Sequence, residues 1–274
     1  MTLFDITEAP HFCQPLPAHL PGVGQSLADF HRHRAPLKLR EGTPDFQIHQ
    51  VSLLNAVERW LLFGAAHYRR SLDMFIPSNA PWAQVTLYYS SFFAANAILG
   101  MFGAWVHINS WVDVESGIVN QQVLRVNKIP KGIPLGGSHV KFWHYFYDGC
   151  NVIAPWVPTE FESAIEPVNN DRSWQIKARN NVNYDMSSAF NAAVILQRNA
   201  RPRDLRGYGG ELGQQLEVTE NMLRLAMHFA KAFKINSHAY GTLAQGTLPK
   251  VLRPLVTKVP PSLVTDSVLQ ELFQ

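Results

Sequence analysis

Charge is scarce in this sequence. Of 274 residues only 16% are Asp, Glu, Lys or Arg, whereas 46% are hydrophobic. That balance excludes a disordered chain and points to a well-buried globular protein with ample core. The net charge of +3 is too small to mark a nucleic-acid binder by its total, so a local basic patch would have to carry such a role. Cysteine is scarcer still. Cys13 and Cys150 offer neither metal-ligand spacing nor a disulfide framework, and read as reduced thiols of a cytoplasmic protein. Met1-Thr2-Leu3-Phe4-Asp5 lacks the basic-then-apolar order of a secretory leader. Missing too are a phosphate-cradling GxxxxGK[ST] loop, a GxGxxG turn between strand and helix, an HExxH pair and a GxSxG elbow. Gly207-Tyr208-Gly209-Gly210 has no strand before it and reads as a loop leading into a helix. No cofactor and no metal is therefore expected.

Long apolar runs are almost absent, with one exception. Residues 85–106 carry no charge, which satisfies the length of a membrane span. Thr86, Tyr88, Tyr89, Ser90, Ser91 and Asn96 crowd the first part of that stretch, and no Lys or Arg cluster flanks it. The reading is a central bundle helix, with no membrane partner.

Along the chain, residues 1–46 are rich in Pro, His and Arg and predict an extended arm, with at most a short helix near 26–33. His11, His19, His31 and His33 show no ligand-type pairing and read as solvent-facing. The basic residues from Arg32 to Arg40 read as a solvated charge run. Leu53, Leu54, Val57, Trp60, Leu61, Ala65 and Tyr68 recur at helical spacing and predict a helix over 47–75. A second helix, about 81–103, is apolar nearly all round, so it belongs at the centre. Residues 105–130 alternate and are rich in β-branched and aromatic side chains, which predicts a small β-hairpin insertion. A densely aromatic helix follows over 139–147, then an irregular connection over 148–172. Further helices are predicted over about 187–199 and 211–235, joined by a basic loop around Arg201–Gly207. Residues 237–274 read as a peripheral tail with a last short helix near 265–273.

The densest polar cluster lies at 173–185. Ser173 is placed to cap a helix, and Ser187 or Ser188 the next. Arg179 and Asn183 share a helix face, Asn180 lies about a hundred degrees round, and Tyr184 stands near the same edge. A guanidinium, two amides and a phenol at one helix end compose a polar site. The same spacing also allows a structural arrangement, with Arg179 paired to Asp185 and Tyr184 half-buried in the core.

Two segments resemble one family. Tyr88-Tyr89-Ser90-Ser91-Phe92-Phe93-Ala94-Ala95-Asn96-Ala97-Ile98-Leu99 resembles the second helix of HEPN domains, and Arg179-Asn180-Asn181-Val182-Asn183-Tyr184 resembles their Arg-led signature. His139, Trp143 and Phe146 between them are similar to the His-bearing aromatic segment of such domains. The resemblance covers roughly residues 50–235. It implies an all-α, up-and-down bundle (here HEPN-like, mainly α, over 47–236), usually a homodimer or paired with a partner protein, and often a metal-independent ribonuclease of defence or toxin–antitoxin modules. Carried over by position, Arg179 matches the phosphate-binding Arg and Asn180 its polar neighbour. The catalytic His falls at Tyr184, with Asn183 before it. A phenol with a reference pKa of about 10 is a poor base at neutral pH, so this is a variant of the motif. The implied site is then Arg179 and Tyr184 as catalytic residues, with Asn180, Asn183 and His139 binding RNA or a nucleotide. The alternative it leaves is a non-catalytic subunit that binds a nucleotide or a partner protein.

Overall fold

The computed structural model describes residues 37–40, 42–107, 110–115, 123–128, 138–198 and 210–232. The predicted helices near 26–33 and 265–273, the histidines of the arm, the basic loop and the tail lie outside the described residues. Within them the chain is mainly helical. It begins with strand β1 (Leu37–Arg40) and helices α1 (Pro44–Asp73) and α2 (Ala80–Met101). Strands β2 (Trp105–His107), β3 (Ser110–Glu115) and β4 (Val123–Lys128) follow. The remaining helices are α3 (Ser138–Ile153), α4 (Glu162–Ile165), α5 (Trp174–Tyr184), α6 (Met186–Arg198) and α7 (Gly210–Ala232). No helix among the described residues is long and apolar enough to cross a membrane.

The chain divides into two compact units, and α1, α2 and α7 contribute residues to both. The first takes its described residues from the stretches up to Arg59, from 96–156 and from His228 onward. Its sheet has the order β1-β4-β3-β2, antiparallel throughout, with Leu37 opposite Val126, Val112 opposite Val126 and Trp105 opposite Val112. The segment 105–130 thus supplies three strands rather than a single hairpin. β1, placed by sequence within an extended arm, pairs along the edge of β4. Strand pairing is set by partners far away in the chain, which local pattern does not reveal.

The arm also ends earlier than residue 46. Thr43 Oγ1 accepts the Phe46 N–H at 3.3 Å and its own carbonyl accepts the Gln47 N–H, so α1 opens at Pro44. At the other end of α2, Gly103 takes φ +83 and the Ala104 N–H returns to the Leu99 carbonyl, a left-handed close that suits glycine. The Gly103 carbonyl accepts from His49 Nε2 at 3.3 Å. Phe142, Trp143, Phe146 and Tyr147 form the aromatic core expected of α3, with neighbouring rings 5.2–6.3 Å apart. That helix runs on to Ile153 instead of breaking at 148, because Cys150 and Ile153 continue its buried stripe.

The second unit holds residues 60–95 and the described residues of 157–227. Here α1 and α2 approach closely. Gly64 lies where a Cβ would come 3.0 Å from Leu223 Cδ2 and 3.5 Å from the Ser90 carbonyl, and Ser90 Oγ donates to the Gly64 carbonyl at 2.7 Å. α7 is tied to α2 by a Ser91–Thr219 hydroxyl pair at 2.7 Å and by Gln215 Nε2 donating to the Gln84 carbonyl at 3.2 Å. Leu87, Tyr88, Ala94 and Ala95 of α2 are fully buried, as expected for a central helix. Residues 154–173 are a run of short turns around α4, whose Ala164 and Ile165 are buried.

Candidate functional site

The site begins one turn before α5. Asn169 and Asn170 adopt φ +53 and +58, a left-handed pair that asparagine tolerates better than most residues. They deliver Asp171 to the helix start. Its carboxylate binds Lys177 Nζ at 2.6 Å and accepts the Ser173 N–H and hydroxyl at 3.0 and 2.8 Å. The Lys177 bond first, and the Ser173 donors after it, hold Asp171 below the usual carboxylate range. Ser173 itself makes no side-chain cap. The predicted cap is therefore replaced by an acid two residues upstream, which adds a charge favourable to the helix N-terminus.

α5 buries Trp174, Gln175, Ile176, Ala178 and Val182. Arg179, half-buried, faces α2: its guanidinium carbon sits 5.0 Å above the centroid of the fully buried Tyr88 ring. Its Nε and Nη2 both donate to Asn180 Oδ1, at 3.2 and 2.8 Å. Consecutive helical residues normally diverge, yet the long arginine arm folds back to its neighbour's amide. Among the described residues Arg179 has no carboxylate partner.

Asp185, the acid that spacing allowed as that partner, is committed elsewhere. It accepts the N–H groups of Ser187 and Ser188 at 3.0 and 3.2 Å and the Ser188 hydroxyl at 2.6 Å, capping α6. Those bonds, the Ser188 hydroxyl foremost, keep its carboxyl below the ordinary range. The predicted caps Ser187 and Ser188 are thus the capped residues. Tyr184 is 83% exposed, which removes it from the core. Asn183 is exposed beside it. His139 is half-buried on α3 in the first unit, whereas the other four candidates belong to the second. The structure therefore joins Arg179 to Asn180 and leaves Asn183 and Tyr184 following on the open end of the same helix.

Sequence reasoning did not count Tyr88 among the site residues, although it stood in the segment that resembled a family. It also missed Gln175, one turn before Arg179. Gln175 is fully buried with neither amide atom bonded, and Gln84 Nε2 and Gln215 Oε1 are likewise buried without partners. Nothing in the pattern marks a glutamine on a helix for such a place. Among the described residues no group of three His, Cys, Asp or Glu side chains is arranged to hold a metal ion. No family model, curated protein or solved structure matches this chain.

Proposed function

We propose that the protein binds RNA through a HEPN-like helical scaffold, with Arg179 taking a backbone phosphate. One observation carries the reading: a half-buried guanidinium oriented by a tyrosine face and an amide, with no carboxylate among the described residues neutralising it. Burying a cation without an acid is unfavourable, and an anionic ligand removes that cost. A guanidinium fork suits phosphate oxygens in particular. Asn180 orients the fork, while Asn183 and Tyr184 lie open to substrate at the same helix end. A phenol and amides move no proton near neutral pH in their ordinary state, so the arrangement favours binding over cleavage. In keeping with the resemblance, its setting would be a bacterial defence or toxin–antitoxin module, as a homodimer or beside a partner protein.

The experiment is binding of labelled single-stranded RNA by the full chain, followed by anisotropy, with EDTA present and the RNA inspected for breakage. Arg179→Ala is expected to weaken binding by about tenfold or more, the order of one charge-assisted contact. Equal affinity in wild type and variant would end this reading. Cleavage that survives EDTA and disappears in Arg179→Ala would instead make the site a nuclease.

A further inference from the structure

Within the second unit, aromatic rings run in a row from Arg179 to open solvent. Arg179 lies over Tyr88, and the Tyr88 ring meets that of Tyr89 edge-on at 5.3 Å. Tyr89 reaches His67 at 6.1 Å, His67 meets Phe93 at 5.2 Å, and Phe93 meets Phe63 at 5.5 Å. Tyr88 is fully buried, Tyr89, His67 and Phe93 are half-buried, and Phe63 is 47% exposed. The row thus rises from core to surface as it crosses from α2 to α1. Core packing buries such rings, as it buries Phe142, Trp143, Phe146 and Tyr147 of α3. Rings left partly in water side by side on two neighbouring helices form instead a surface that receives flat groups.

The charges around the row select the sign of its partner. α2 contains no charged residue, and residues 60–72 of α1 contain no acid. Arg179 lies at the buried end of the row. Phe63, His67 and the exposed Arg70 fall at i, i+4 and i+7, on one face of α1. His67 Nδ1 donates to the Phe63 carbonyl at 2.8 Å, which fixes the imidazole beside the exposed ring and leaves Nε2 as the acceptor of the neutral form. Cations therefore flank the rings and no acid of either helix stands among them.

We propose that this row is a stacking platform for the bases of single-stranded RNA, an inference that rests on the reading of Arg179 as a phosphate ligand. Successive bases stack on Phe63 and on the half-buried rings behind it, while Arg179 and Arg70 meet the backbone. Every base has a π-face, so such a platform is tolerant of sequence. It discriminates against a duplex, whose bases are already stacked on one another. The polar atoms of His67 and Tyr89 match base edges, which an acyl chain or an apolar protein face lacks.

The test compares binding of the full chain to labelled oligouridine with binding to an abasic ribose-phosphate chain of the same length, both followed by anisotropy. The base-bearing chain is expected to bind about tenfold more tightly or better, the scale of one stacked base. Phe63→Ala should remove about that factor and leave the abasic chain unaffected, whereas Phe63→Trp restores a ring and the affinity with it. The thermal melt should hardly move, because Phe63 is exposed and alanine suits a helix interior. Equal affinity of wild type for the two chains overturns the platform, as does Phe63→Ala binding oligouridine like wild type. Arg179 keeps its phosphate role in either case if Arg179→Ala weakens binding to both chains. Loss in Phe63→Ala alone, with Arg179→Ala unchanged, upholds the platform and ends only the phosphate role. No affinity for either chain overturns both. Self-association that Phe63→Ala abolishes, with RNA affinity unchanged, assigns the row to a second copy and overturns the inference equally.

Discussion

Arg179 is held from two sides, by the Tyr88 ring beneath and the Asn180 amide alongside. Both contacts depend on a planar guanidinium. A lysine keeps the charge but loses the fork and the broad face that lies on the ring. Arg179→Lys is therefore expected to lose nearly as much RNA affinity as Arg179→Ala, on the order of tenfold. Its effect on stability should stay near 1 kcal/mol, the scale of one cation–π contact. Anisotropy and a urea melt on the same preparations read the two quantities separately. A lysine variant that binds like wild type would show that charge alone suffices. Tyr184 stands differently, since its ring is almost wholly in solvent. Tyr184→Phe should leave the melt unchanged and report only on what the hydroxyl does for RNA.

At the scale of elements, two joints determine how the second unit is put together. The first is the approach of α1 to α2 at Gly64, where any larger residue meets Leu223 and the Ser90 backbone. Gly64→Val places two further methyl groups into that contact and is expected to destabilise by roughly 1–3 kcal/mol, the usual cost of overpacking. A lower urea midpoint with unchanged slope is the signature to look for. The second joint is Asp185, whose backbone N–H closes α5 on the Asn181 carbonyl and whose side chain starts α6. In Asp185→Ala the amides of Ser187 and Ser188 lose their acceptor, and their hydrogen exchange should quicken severalfold while the core of α5 keeps its protection. Because the Asp185 carboxyl is held below the ordinary carboxylate range, the cap is present above that group's unfolded value. It is lost as pH falls through the lower folded value. The same fraying should therefore appear in wild type in strong acid.

At the scale of the molecule, two buried groups on α1 set opposing slopes of stability against pH. Burial, opposed by the Gly103 carbonyl bond, lowers His49 from 6.5 to about 4. Between those values the unfolded chain holds a proton that the folded chain does not, so stability falls as pH drops through that window. Burial, opposed by Arg59, raises Glu58 from 4.5 to about 7. The folded chain now holds the extra proton, and stability falls as pH rises from 4.5 to 7. Each contribution is on the order of 3 kcal/mol at most, at about 1.4 kcal/mol per pKa unit. The two largely offset each other where their windows overlap, which predicts a shallow profile in wild type. Glu58→Gln removes one slope: stability should then climb from pH 4 to 6.5 and exceed wild type above 7. Urea midpoints across that range decide it, and a variant as flat as wild type would contradict the assignment.

Much of the helical organisation was legible in the sequence. The stripe through Leu53, Val57 and Leu61 and the aromatic α3 each carry a helical period, while the charge-free run of α2 is apolar nearly all round, the mark of a helix buried on more than one side. Hydrophobic period and turn residues are local, so the chain by itself determined where most helices lie and that α2 is central. It also brought Arg179, Asn180, Asn183 and Tyr184 onto one short helix. Only tertiary structure decided what those residues touch. Spacing could not choose between Asp185 and the Tyr88 ring as the partner of Arg179, because a distance along the helix says nothing of the neighbouring one. Asp171 and Asp185 cap through groups two and three residues on, a local choice the pattern left open; the edge pairing of β1 and the burial of Gln175 were settled by the tertiary structure. These last two depend on groups whose geometry exists only once the backbone has folded around them.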